Sequence, residues 1–296
     1  MTRSGFVALA GRPNVGKSTL VNLIVGEKVA IVSDRPQTTR RAIRGVHSSG
    51  ERQMVLVDLP GVQRPRDTLT ARMARRVNQE LEGSDVALLL INGEQGVGPG
   101  DRFIARALAG SKRPVTVAVN KVDRLSRAGT LSTLGQAAEL EVGTEGSEVF
   151  PISARTGAGV EELVEHLLAM MPEGPFMFSE NTISDQSLEV LLAELVREAV
   201  IRRTFQELPH AVEVIVEGVE RPRDGLARVR ALIWVESESQ KGILVVAHGR
   251  MIKAIGTAAR REAERELGCQ VYLDLSVRVR RDWRADEGLL DRLGIT

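Results

Sequence analysis

Gly11-Arg-Pro-Asn-Val-Gly-Lys-Ser18 sits between an apolar run, Phe6–Ala10, and a stretch of helical spacing, Lys17–Val25. Strand, glycine-bearing loop and helix in that order narrow the fold sharply. Glycines let the backbone wrap a chain of phosphates, and the successive N–H groups at the helix amino terminus hold its charge. Lys17 is placed to reach the β- and γ-phosphates and Ser18 to ligate Mg²⁺. Gly11, Arg12, Pro13, Asn14, Val15, Gly16 and Thr19 complete the cradle. Further along, Met54–Val57, Val86–Ile91, Val115–Val119 and Val149–Ile152 are continuously apolar, as strands covered on both faces of a parallel sheet are. Helical patterns intervene at Thr68–Leu81, Asp101–Leu108 and Val160–Met170. The expected fold over residues 1–172 is α/β, a P-loop doubly wound domain with its ligand at the carboxyl ends of the strands.

Asn120-Lys121-Val122-Asp123 follows one of those apolar runs, again at a carboxyl end. The Asp123 carboxylate can accept from guanine's ring N–H and exocyclic amine together, a pair that adenine does not offer. Asn120 braces this loop, the Lys121 stem can lie on the base, and Ser153-Ala154 is the place for a backbone contact to the guanine oxygen. In Asp58-Leu59-Pro60-Gly61, Asp58 is expected to hold Mg²⁺ through water and the Gly61 amide to sense the γ-phosphate. Arg35-Pro-Gln-Thr38-Thr39-Arg40 supplies a threonine to the metal shell; Thr39 is favoured and Thr38 is the alternative. Loss of the γ-phosphate would release both loops. Lys17, Thr39, Gly61 and Val62 surround the reacting phosphate, but Val62 can neither donate nor accept a hydrogen bond to an attacking water. The motifs therefore predict a slow GTPase that uses GTP, GDP and Mg²⁺.

The apolar periodicity breaks after Met171, and residues 173–187 read as a linker whose Phe176 and Phe178 can dock it. Residues 188–296 have a different rhythm. Leu188–Phe205 has helical spacing, two alternating strands run through Val212–Val216 and Val229–Val235, and a last strand carries Val271 to Val279. Between them Ser239–Val246 and Arg250–Leu267 read as two helices broken at Ala247-His248-Gly249. The chain's 40 Lys and Arg against 39 Asp and Glu leave a net charge of +1. A nucleic-acid partner must therefore be argued from where charges sit. One cysteine, Cys269, forms no internal disulfide and suits a reducing, cytoplasmic setting. No apolar run approaches the ~20 residues of a transmembrane segment.

These motifs, with Val29-Ala-Ile-Val-Ser33, Met171-Pro-Glu-Gly-Pro175, Ser239-Gln-Lys-Gly242, Lys253-Ala-Ile-Gly256 and Val271-Tyr-Leu-Asp-Leu275, resemble the Era family of bacterial ribosome-assembly GTPases across essentially the whole chain. The resemblance implies a smaller α+β type II KH domain over 188–296. It also implies binding to the 3′ end of 16S ribosomal RNA, a role in 30S subunit assembly, and RNA affinity that follows nucleotide state. A KH fold clamps single-stranded nucleotides with a Gly-x-x-Gly turn between helices. Here the clamp slot reads Val246-Ala247-His248-Gly249, with the first glycine replaced. His248, Gly249, Arg250 and Lys253 are the candidate RNA contacts, with Lys241, Arg278 and Arg280 further off. Related GTPases use an asparagine at the place of Asn14 to help bind K⁺, so a K⁺ role is open. The resemblance also leaves room for peripheral association with the inner face of the cell membrane. Two rivals remain: a P-loop kinase acting on a small molecule, and a GTPase whose altered KH fold docks a protein.

Overall fold

The computed structural model describes residues 1–35, 38–63, 65–111, 113–142, 147–206 and 208–295, and of residues 246–248 the backbone alone. The predicted contacts at His248, Val246 in the clamp slot, and Gln37 of the Arg35–Arg40 segment lie outside the described residues or side chains.

Along the chain run β1 (Arg3–Ala10), α1 (Lys17–Val25), β2 (Ile43–Ser49), β3 (Arg52–Asp58), α2 (Thr68–Gly83), β4 (Val86–Asn92), α3 (Pro99–Ala109), β5 (Val115–Asn120), α4 (Arg127–Ala138), β6 (Val149–Pro151) and α5 (Val160–Ala169). After them come α6 (Leu188–Ile201), α7 (Leu208–Ala211), β7 (Glu213–Arg223), β8 (Leu226–Val235), α8 (Glu238–Leu267), β9 (Gln270–Val279) and α9 (Glu287–Arg292). Contacts divide the chain into two units. One comprises Met1–Ala30, Thr39–Arg66 and Thr70–Asp185; the other comprises Ile31–Thr38, Asp67–Leu69 and Gln186–Thr296.

The first unit carries a six-stranded sheet in the order β2-β3-β1-β4-β5-β6. Every pairing is parallel except that of β2 with β3. All seven residues of β4 are buried, because helices cover both sheet faces. Each such Leu or Val withdrawn from water contributes about 1.5–3 kcal/mol before entropy is counted. The chain places β3 on one side of β1 and β4 on the other, so the crevice of a doubly wound sheet opens above the carboxyl end of β1.

Two elements here escaped the sequence reading. β2 is a polar edge strand, Ile-Arg-Gly-Val-His-Ser-Ser, that shows no apolar run. α4 has only Thr133 and Ala137 buried, and its clearest signal is a cap, Ser126 Oγ accepting from Gly129 N at 3.1 Å. The predicted linker does dock, but through main chain. Buried Gln53 accepts from Met177 N and Phe178 N at 2.9 and 3.0 Å and donates to Phe178 O at 2.9 Å. Val46 N donates to Ile183 O at 2.8 Å, and Gly45 bridges Ser184.

In the second unit β7-β8-β9 form a three-stranded sheet, β7 antiparallel and β9 parallel to β8. α6 and α8 pack Val196, Val200, Leu244, Ile255 and Ala259 against Val214, Ala231 and Ile233. The two helices expected over 239–267 form one element, α8. The break survives within it, since Gly249 takes φ +67°, a left-handed conformation that glycine adopts without the penalty of a Cβ. Among the described residues no helix is long and apolar enough to cross a membrane.

Candidate functional site

The crevice of the first unit gathers the phosphate-loop and base-loop residues. Gly16 opens α1 at φ +102°. Lys17, 6% exposed, folds its ammonium back to donate to Gly11 O and Arg12 O at 3.3 and 3.2 Å. Burial lowers its pKa and the charge of Asp58 opposes that shift. An ammonium under that pressure gains from an incoming phosphate.

Arg12 anchors the loop from outside. Its Nε donates to Asp101 Oδ1 at 2.9 Å, and the other oxygen of this fully buried carboxylate accepts from Gly98 N at 2.9 Å. Asp101→Asn removes the charge while keeping the shape. It should lower stability by about 2 kcal/mol, the scale of a hydrogen bond to a charged group. GTP and GDP affinity should fall together, as titration beside a melting curve would show; an affinity loss confined to one nucleotide would exclude this role.

The metal question can be put to the oxygens present. Ser18 Oγ donates to Asp58 Oδ2 at 2.6 Å, and Thr39 Oγ1 stands 3.3 Å from the same oxygen and 3.2 Å from Ser18 Oγ. Asp58 Oδ1 is buried without a hydrogen-bond partner among the described residues. Burial raises the Asp58 pKa, and Lys17, Ser18 and Thr39 oppose the rise. Two hydroxyls and a carboxylate with an unused buried oxygen form a hard, all-oxygen cluster, which fits Mg²⁺. Thr38 is not part of it, because its hydroxyl donates to Arg35 O at 2.7 Å.

Leu59 is buried. Behind Pro60, Gly61 packs so closely on Pro13 that an added Cβ would lie 2.7 Å from its nitrogen. Val62 gives its N–H to Gly11 O at 3.2 Å and packs its side chain against the buried cluster of Ala8, Val57, Leu59 and Val77. Its side chain offers nothing to a water.

At the base end, Asn120 is the brace. Its Nδ2 donates to Val15 O at 2.8 Å, and its Oδ1 accepts from Lys121 N at 2.8 Å and Ala154 N at 2.9 Å. The Ala154 amide, expected at the guanine oxygen, is thus given to Asn120. The Ser153 hydroxyl donates to Asp123 Oδ1 at 2.6 Å, and Arg155 Nη2 lies 2.7 Å from Oδ2. The Ser153 hydrogen bond, with the Arg155 charge adding to it, holds the Asp123 carboxyl below the usual carboxylate range. Lys121 stands at φ +68° with its ammonium 3.7 Å from Glu94, and Asn14 is left-handed at φ +63°.

The second unit has a groove of about 360 Å³ between α8 and β9, lined among others by Ile252, Lys253, Gly256, Arg260, Tyr272 and Leu275. Tyr272 is 57% exposed, and the Arg228 guanidinium lies 5.5 Å from its ring centroid. Lys253 thus lines the same groove as this exposed ring, and Arg250 is exposed three residues before it. Lys241, Arg278 and Arg280 do not line this groove; Arg278 is six residues beyond Tyr272 on one strand, roughly 20 Å away. Arg260 and Tyr272 were missed. The signal for Arg260 was its spacing of seven from Lys253, which puts both on one helix face.

A family model described as a 50S ribosome-binding GTPase matches residues 6–121, and one described as a KH domain matches residues 207–284. GTPase Era of Carboxydothermus hydrogenoformans is 41% identical over 297 residues, covering 99% of this chain and 98% of that protein. GTPase Era of Mycobacterium tuberculosis is 43% identical over 296 residues, with 98% of each covered. Among solved structures, Era in complex with MgGDPNP and nucleotides 1506–1542 of 16S ribosomal RNA superposes with a TM-score of 0.95 at 34% identity, over all of both chains. An Aquifex aeolicus Era variant bound to GDP and AlF₄⁻ gives 0.93 at 36%, again over all of both.

Proposed function

Since this chain belongs to the Era family of GTPases, we propose that it couples its GTP cycle to an RNA contact made by the second unit, and so assists assembly of the small ribosomal subunit. The chain is a GTPase that uses GTP, GDP and Mg²⁺. The RNA is the 3′ region of 16S ribosomal RNA, the segment held by the Era of the solved complex. The observation that carries this reading is the α8–β9 groove. It combines Lys253 and Arg260 for phosphates with an exposed Tyr272 ring for a base, the pairing that single-stranded RNA recognition uses. A cytoplasmic location, with peripheral contact at the membrane's inner face, belongs to the same reading.

In hydrolysis a water oxygen attacks the γ-phosphorus and the bond to the β–γ bridging oxygen breaks, leaving GDP, phosphate and one proton to solvent. Lys17 donates to the phosphate oxygens as charge moves onto the leaving group, and the Gly61 amide faces the γ-phosphate. Ser18, Thr39 and Asp58 would hold Mg²⁺, which neutralises phosphate charge. Val62 leaves the water unoriented, so unassisted turnover is slow.

The test is binding of a single-stranded RNA from the 16S 3′ end in the presence of a GTP analogue and of GDP. Tighter binding with the analogue is expected, and equal affinities would remove the coupling. Arg250→Glu with Lys253→Glu should weaken RNA binding by at least about tenfold through lost phosphate contacts, steeply dependent on salt, while GTP binding stays as it was. RNA affinity that survives this double change would move the reading to the protein-docking alternative.

A further inference from the structure

An ionised carboxylate has about four acceptor positions, shared between its two oxygens. The chain itself takes a position on each oxygen of Asp123. Ser153 Oγ donates to Oδ1 at 2.6 Å, and Arg155 Nη2 lies 2.7 Å from Oδ2. The Asp123 side chain is 12% exposed and that of Arg155 66%, so the guanidinium reaches the carboxylate from the solvent side. What remains is an acceptor position on each oxygen. Guanine's ring N–H and exocyclic amine ask for that number and that arrangement.

The turn that carries Arg155 is braced along its length. Ser153 N donates to Ala158 O at 2.9 Å, and Gly157 N donates to Ser153 O at 2.8 Å. Thr156 N donates to Ser153 Oγ at 3.2 Å, so the hydroxyl that holds Asp123 also holds the turn. Ala154 N is fixed on Asn120 Oδ1 at 2.9 Å. Gly159 closes the turn at φ +69°, where an added Cβ would lie 2.2 Å from Pro151 O. Arg155 therefore meets Asp123 from a fixed piece of backbone.

We propose that Arg155 is a positioning residue for base recognition: with Ser153 it fixes the plane of the Asp123 carboxylate and so sharpens the demand for two donors. A carboxylate held at one oxygen can swing about that contact and follow a base that offers a single donor. Held at both oxygens, it presents two acceptors in fixed directions. Guanine fills both, whereas hypoxanthine, which lacks the exocyclic amine, leaves one unpaired. Arg155 acts through Asp123 and needs no contact with the nucleotide. Its influence falls on GTP and GDP alike, since both carry the base. This rests on the reading of Asp123 as the guanine reader.

The experiment uses full-length protein and its Arg155→Gln and Arg155→Lys variants, with GTP, GDP, ITP and ATP competing for a fluorescent guanine nucleotide. Arg155→Gln should bind GTP and GDP about fivefold more weakly, the scale of one exposed ion pair. ITP affinity should change by less than about twofold, so the preference for GTP over ITP narrows. Arg155→Lys keeps a charge and a donor and should restore most of the loss at low salt. That restoration should fade as salt screens the pair. Tighter GTP binding by Arg155→Gln would show that the arginine competes with the base, and would overturn the proposal. So would unchanged affinities, a lysine that restores nothing, or equal losses of GTP and ITP, which mark a group that meets the ring or the phosphates directly. Unaltered protein that bound ATP as well as GTP would instead remove Asp123 as the reader, and with it the premise.

Discussion

Asp123→Asn is expected to lower GTP affinity by about a thousandfold and to bring xanthine nucleotide ahead of GTP. An ionised carboxylate takes two guanine donors at once. Two hydrogen bonds to a charged group are together worth about 4 kcal/mol, which is about three decades in affinity. The amide offers one acceptor and one donor, so its NH₂ would face guanine's amine, whereas xanthine presents a carbonyl there. The scaffold should tolerate the change, because the Ser153 hydroxyl that donates to Asp123 Oδ1 can donate to an amide oxygen. Competition among GTP, XTP and ATP for a fluorescent nucleotide reads the outcome, and undiminished GTP binding would remove Asp123 from the base site. The pH dependence follows the sign of the shift. With the folded carboxyl pKa lowered, chiefly by Ser153, the carboxylate's contribution is complete above the ordinary aspartate pKa. It is lost only as the pH falls through the lowered value.

Gly16→Ala should act on all nucleotides alike. A Cβ there would lie 2.3 Å from Asn120 Nδ2, at φ +102°. Asn120 must then leave Val15 O and with it the bonds to Lys121 N and Ala154 N. Strain at a left-handed non-glycine residue is of order 1–3 kcal/mol, and three displaced hydrogen bonds add about 1 kcal/mol each. GTP and GDP binding should both fall by at least about a hundredfold, with a lower thermal midpoint. Near-normal binding would show that the phosphate and base loops do not depend on one another. Asp123→Asn changes which base is taken; Gly16→Ala takes away the place for any.

What could be read in the sequence was whatever the chain encodes locally. The cradle needs its glycines, lysine and serine adjacent, and Asn120 to Asp123 act within one turn, so both stand out in a string of letters. Where the two threonine hydroxyls stand is not local: that of Thr38 is given to Arg35 O, and that of Thr39 stands beside Ser18 and Asp58. Over α6 the sequence shows a helical spacing and nothing of what its charged residues meet. In the fold Glu194, Arg197 and Glu198 are buried: Arg197 and Glu198 meet main-chain atoms about 160 positions away in sequence, and Glu194 accepts from Arg197. No periodicity announces such a partner. β2 stayed hidden for a related reason, since its identity comes from seven residues of register with β3 rather than from composition.

The contact between Gly45 and Ser184, with Gln53 holding Met177 and Phe178, has a consequence for solution behaviour. β2 is the border strand of the six-stranded sheet, and an open border is where a foreign strand can add itself and start aggregation. By laying Ile183 and Ser184 along that border, the chain occupies with its own backbone part of the place an intruder would need. The segment that joins two functions also keeps the sheet from growing.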